Sequence, residues 1–146
     1  MARIVEGLSK SARTIISPVA ILAIRVYLGL IFFQYGLSKT EDWSSTLTQF
    51  RTDWAIPILS PVASAWMTAA GELVLSVMLI IGLYTRFAAS GLLIIVLVIE
   101  FIVFNGASGE REYYYWMLLL ATLIGFGAEK ISLDAFFSRS SSRRFG

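Results

Sequence analysis

Apolar positions in this chain fall in long unbroken blocks, without the strict alternation of a strand or the narrow stripe of a soluble helix. One hydrocarbon crossing takes about 20 mostly apolar residues. The first block runs from Pro18 to Leu37 and opens at Ser17-Pro18, a pair suited to a helix start. The second is 62–83, after Ser60-Pro61; Arg86 begins a short connection to the third, about 87–105; the fourth is about 113–128. At ~1.5 Å per residue the fourth spans only about 24 Å, so Tyr113, Tyr114, Tyr115 and Trp116 are read as an interfacial belt that completes it. The pattern predicts an all-α membrane protein, a four-transmembrane-helix bundle over residues 18–128. An interfacial segment, 1–17, precedes it and a basic tail, 129–146, follows.

A secretory signal peptide is the alternative reading of the first block. Its apolar part is long for that role, and Gln34-Tyr35-Gly36 and Lys39 follow where a small-x-small cleavage site would stand. The connection 38–60 interleaves Trp43, Phe50 and Trp54 with Glu41, Asp42, Arg51 and Asp53, which reads as an amphipathic piece on the membrane surface. Basic residues divide unevenly between the two sides. Arg3, Lys10, Arg13, Arg86, Lys130, Arg139, Arg143 and Arg144 fall on one side; Lys39, Arg51 and Arg111 fall on the other. The positive-inside rule then puts both termini in the cytoplasm of a multi-pass protein, as an even number of crossings requires.

Composition supports lipid as the solvent. The chain is 57% hydrophobic and 15% charged, where a soluble domain carries about a quarter charged residues. With no cysteine and no histidine, it lacks thiolate chemistry, disulfides and the commonest haem and metal ligands, so no metal is expected. A net charge of +2 and the absence of a nucleotide-binding glycine loop give no reason to expect nucleic acid or nucleotide partners.

Candidate chemistry lies in the few charges at membrane depth. Arg25, Gly29, Phe32, Gly36 and Lys39 share one stripe of the first helix, and its two glycines allow another helix to approach. Glu72 shares a face of the second helix with Thr68, Ala69 and Ser76. Counted from Pro18 and Leu83, Arg25 lies about 10 Å deep and Glu72 about 16 Å, which predicts that the two meet. Such a pair is either a register-fixing ion pair or the lining of a polar pocket for a headgroup or a proton. Glu100, surrounded by apolar residues, reads either as a glutamate facing the interface or as a carboxyl within reach of Lys39 and Gln34.

Four stretches resemble the DoxX family of bacterial inner-membrane proteins. They are R-x-x-L-G-x-x-F-x-x-x-G-x-x-K at 25–39, A-x-P-I-L-S-P at 55–61 with A-G-E-L-V-L at 70–75, G-L-Y-T-R-F-A-A at 82–89, and G-F-G-A-E-K-I-S-L-D at 125–134. The resemblance covers about residues 20–137 and implies a four-helix inner-membrane protein with charged positions at Arg25, Lys39, Glu72 and Arg86. Some relatives resemble subunits of a thiosulfate:quinone oxidoreductase; others accompany biosynthetic proteins for metal-associated modified peptides or oxidative-stress assemblies. A histidine common in relatives near 107–113 is missing, which counts against a role that depends on it.

Three functions follow as expectations. The first is an accessory or small-molecule-binding subunit, acting with a protein partner or as a homo-oligomer. The second is a quinone-interacting subunit of an oxidoreductase, with Arg25, Glu72 and Tyr27 around the quinone headgroup. The third is a small oligomeric transporter or proton path using Glu72 and Glu100.

Overall fold

The computed structural model describes residues 2–106 and 109–127, with side chains described from Ser17 onward. All of its regular structure is helical. Helix α1 spans Ala2–Glu41, α2 Trp43–Thr52, α3 Pro61–Ile81, α4 Thr85–Leu97 and α5 Arg111–Phe126; a π-helical turn, Val98–Val103, prolongs α4. Three helical stretches, Ser17–Glu41, Pro61–Ile81 and Thr85–Val103, are long and apolar enough to cross a membrane. α5 has 16 residues, short of the about 20 a crossing takes.

The helices pack in a ring. α1 lies along α3, α3 along α4 and α4 along α5, and α5 returns to α1; α2 folds over one end against α1 and α3. Leu28, Leu79, Leu92, Leu120 and Leu123 are fully buried in the middle. Val19, Leu30, Val74, Phe87, Ile94 and Leu118 stand outside it, more than half exposed. An apolar exterior around an apolar core is what a bundle solvated by lipid requires.

Local sequence explains most boundaries. The Ser60 hydroxyl accepts the Ala63 N–H and Pro61 occupies the first turn of α3, where its missing N–H costs nothing. Gly82, at φ 74°, ends α3, with its own N–H and that of Leu83 returning to the Met78 carbonyl. Asp42 breaks α1 from α2 and caps α2 by accepting the Ser45 N–H. One boundary differs from expectation. α1 does not begin at Ser17-Pro18 but runs through a buried Pro18 from Ala2, and it continues past Leu37 to Glu41. The interfacial face expected of 1–17 and the whole tail 129–146 lie outside the described residues.

Close approach of α1 and α3 depends on two glycines. A Cβ at Gly29 would collide with Ile80 Cγ1, and one at Gly36 would lie 2.8 Å from Leu73 Cγ and 3.1 Å from Glu72 Cβ. Gly36→Ala is therefore expected to destabilise the protein by about 1–3 kcal/mol through overpacking. Gly125→Ala, where a Cβ would meet nothing within 4 Å, is the control. Thermal unfolding in detergent checks both; equal melting temperatures would contradict the tight seam.

Candidate functional site

Continuation of α1 to Glu41 places Lys39 in its last turn, and Gly36, one turn earlier, brings the backbone close to Glu72 on α3. The Lys39 ammonium donates to both oxygens of Glu72, at 2.8 Å to Oε2 and 3.1 Å to Oε1. Lys39 is 7% exposed and Glu72 2%. Breaking such a buried pair on one side leaves an uncompensated charge, so geometry that satisfies both partners is what makes the burial tolerable.

Aromatic rings enclose the pair. Lys39 Nζ lies 5.6 Å from the centre of the Tyr35 ring and 5.5 Å from that of Trp54, distances at which ring quadrupoles attract a cation. Trp116 packs edge-on against Phe32, Tyr35 and Tyr113 at 5.4–5.7 Å between centroids. α2 closes the roof. The hydroxyl of its buried Thr46 donates to the Lys39 carbonyl at 3.0 Å, satisfying an acceptor left over at the helix end.

Two cavities adjoin the pair. An inner chamber of about 30 Å³ lies among Phe32, Tyr35, Glu72, Tyr113 and Trp116, room for a water but not for a headgroup. An open recess of about 280 Å³ is walled by Ser38, Asp42, Ser45, Gln49 and Trp54, with Lys39 lining both spaces. At its rim Asp42 is held below the ordinary aspartate range, because its ionised carboxylate accepts the Ser45 N–H and the Ser44 hydroxyl. The site thus offers a fixed cation–anion pair, flat apolar walls and polar groups at the mouth. Among the described residues no three His, Cys, Asp or Glu side chains converge to hold a metal ion.

Arg25 is buried, but its partners include the Leu79 carbonyl (Nε, 3.1 Å) and the Ile80 carbonyl (Nη2, 3.2 Å), not Glu72. The expected Arg25–Glu72 pair is corrected by the helix register. Arg25 sits level with Leu79 and Ile80, seven or eight residues from Glu72, which is about 11 Å along α3. Tyr27 is 54% exposed and Gln34 is also exposed, so both point out of the bundle. Ala69 is buried; Ser76 donates to the Leu73 carbonyl of its own helix; Thr68 lines a separate apolar hollow.

Glu100 faces inward, contrary to an interfacial glutamate, and Lys39 does not reach it. It is fully buried on the π-helical turn, where Oε1 accepts the Tyr114 hydroxyl at 2.9 Å and Oε2 has no hydrogen-bond partner. The belt reading of Tyr113–Trp116 misses this. Trp116 is buried beside the ion pair, and Tyr114, though 44% exposed, ties α5 to Glu100; Tyr115 faces outward at 61% exposure. Tyr35, Thr46 and Trp54 were also not singled out for the site. Tyr35 lies one helical turn before Lys39, a spacing that puts the two side by side; Thr46 and Trp54 reach Lys39 only through the fold of α2, which no local spacing shows.

Lys39→Met is expected to destabilise by about 3–5 kcal/mol, and Lys39→Met with Glu72→Leu to recover most of that loss. Arg25→Met and Glu72→Leu should add independently, within about 0.5 kcal/mol. A double-mutant cycle on thermal unfolding checks both; strong coupling of Arg25 to Glu72 would contradict the observed register. Tyr114→Phe removes the partner of Glu100 and should cost about 1–3 kcal/mol in the same assay.

A family model described as DoxX matches residues 20–105. An uncharacterized protein of Haemophilus influenzae is 29% identical over 133 residues, covering 84% of this chain and 86% of its own length. A Bacillus subtilis protein named "Putative oxidoreductase CatD" is 31% identical over 118 residues, covering 79% of this chain and 84% of its own. No solved structure matches.

Proposed function

The chain belongs to the DoxX family of membrane proteins, and from that premise we propose that it is a small-molecule-binding accessory subunit of the bacterial inner membrane. It crosses the bilayer four times with both termini in the cytoplasm, and its ligand binds at the Lys39–Glu72 site between α1 and α3. The observation that carries this reading is the ion pair itself. Two charges more than nine-tenths buried are paired there, Glu72 facing the inner chamber and Lys39 lining both that chamber and the open polar recess, and ionisable groups inside membranes mark functional positions by default.

Four crossings are supported by the ring of helices, in which α5 lies along α4 and closes on α1, and by the excess of basic residues on one side. Because the chain has no cysteine, single-cysteine variants test the topology cleanly. An impermeant maleimide added to intact spheroplasts is expected to label Ser45→Cys, beside the recess, and to label Ser138→Cys only after lysis. The reverse pattern would overturn the orientation.

A second reading, a quinone-interacting oxidoreductase subunit, draws on the name of the Bacillus subtilis relative and on the flat aromatic walls around a hydrogen-bonding pair. In this chain the headgroup would meet Lys39 rather than Arg25 and Tyr27. Native mass spectrometry of detergent-purified protein tests binding. The wild type should carry a small-molecule adduct that Lys39→Met/Glu72→Leu lacks; a bare wild type, or the same adduct on both, would contradict the site. Decylubiquinone then separates the readings. A melting temperature raised in the wild type alone supports the quinone subunit, and no rise at saturation removes it.

A further inference from the structure

Three cavities meet at one side chain. Trp54 lines the chamber around the ion pair, the polar recess, and an apolar hollow of about 150 Å³ between α3 and α4. Ile99, on the π-helical turn, lines both chamber and hollow. The hollow's outer wall includes Met67 and Ile94, at 63% and 60% exposure on the lipid side of the bundle. Phe50 and Trp54, whose rings pack edge-on at 5.4 Å, line it as well. The Ser64 hydroxyl in its wall is already engaged by the Ser60 carbonyl. What fits there is hydrocarbon.

Sizes and charges restrict the occupant. The chamber admits only water, so a headgroup must sit in the recess, among Ser45, Gln49 and Asp42. A cavity near 150 Å³ holds about one six-membered ring, which suits part of one chain and not two. Lys39 is already neutralised by Glu72, and Asp42 adds a carboxylate at the rim, so an anionic head finds no free cation there. A purely aqueous solute would leave the hollow unused, and a bare hydrocarbon would leave the recess unused.

We propose that the site takes a single-chain amphiphile from the surrounding leaflet, its uncharged hydrogen-bonding head in the recess over Lys39 and its chain in the hollow, joined past Trp54. This rests on the small-molecule-binding reading above and adds the chemical class and the route of entry. Trp54 is the partition: its ring stands where head and chain must connect, and it reports on the ligand by its fluorescence.

The probe is a monoacylglycerol with a dibrominated chain, titrated into protein in phosphatidylcholine nanodiscs while tryptophan emission is read. The wild type should show saturable quenching above the linear loss caused by bulk probe, and Trp54→Phe should lose that saturable part. Val98→Phe and, independently, Ile94→Phe fill the hollow and should weaken the saturable phase by about tenfold. Val74→Phe, on a lipid-facing position, should leave it unchanged. Saturable quenching untouched by both fillings overturns the hollow, while an adduct sensitive to Lys39→Met/Glu72→Leu leaves binding at the recess standing. A wild type with neither adduct nor saturable quenching overturns both proposals. Equal or tighter binding of the dibrominated fatty acid overturns the uncharged head.

Discussion

An ammonium and a carboxylate that leave water together must find each other, and in this bundle that demand sets the positions of everything around them. Lys39 and Glu72 meet because α1 extends to Glu41 and because Gly36 has no side chain to hold α3 away. The pair fixes the antiparallel register of the two helices. Thr46 then anchors α2 across the end, and Trp116, from α5, packs edge-on against Tyr35 beside the pair. A hydrophobic seam could slide by a turn; one carrying two buried charges cannot slide without separating them.

Polar ties recur at both ends of the α1–α3 and α4–α5 pairs. At the end opposite the ion pair, Arg25 of α1 donates to the last carbonyls of α3. Arg86 of α4 does the same for α5 through the Gly125 carbonyl at 3.3 Å. Cations there meet the negative end of the helix dipole and acceptors with no partner in the helix. At the α2 end, Tyr114 of α5 holds Glu100, on the π-helical turn after α4, much as Lys39 holds Glu72. Between these ties the contacts are apolar and non-directional, so the ties orient the helices while dispersion and packing hold them.

Much of the fold was legible because a 20-residue apolar block has few alternatives in sequence. The start of α3 was clear at Ser60-Pro61, while its end was set two residues late, at 83, past the Gly82 that caps it. Pro18 misled because a proline signals a helix start only when the preceding residues leave the helix, which local composition does not decide. The candidate site was half visible. Periodicity correctly put Arg25, Gly29, Gly36 and Lys39 on one stripe, yet a stripe does not say which of its members faces Glu72. That depends on how far one helix is slid along the other, and counting depths from Pro18 and Leu83 treats those two residues as level, which the contacts of Arg25 with Leu79 and Ile80 show they are not.

At about 100° per residue, Tyr27 and Gln34 lie on the opposite side of α1 from Arg25, and both are exposed. The partnership of Glu100 with Tyr114 was not readable in the same way, since a π-turn adds a residue to the helix and shifts everything after it. Aromatics next to a membrane end are usually a belt, and only the packing of α5 against α1 and α4 shows which of the four turn inward.

The most direct measurement is a Lys–Glu distance in the bilayer. Magic-angle-spinning NMR on protein carrying ¹⁵Nζ-lysine and ¹³Cδ-glutamate in lipid reads dipolar contacts between ammonium and carboxylate groups. The expected result is a short-range contact that disappears in Lys39→Met and survives Arg25→Met. A wild-type spectrum with no contact assignable to Lys39 and Glu72 would contradict the pairing on which the site and its proposed ligand depend.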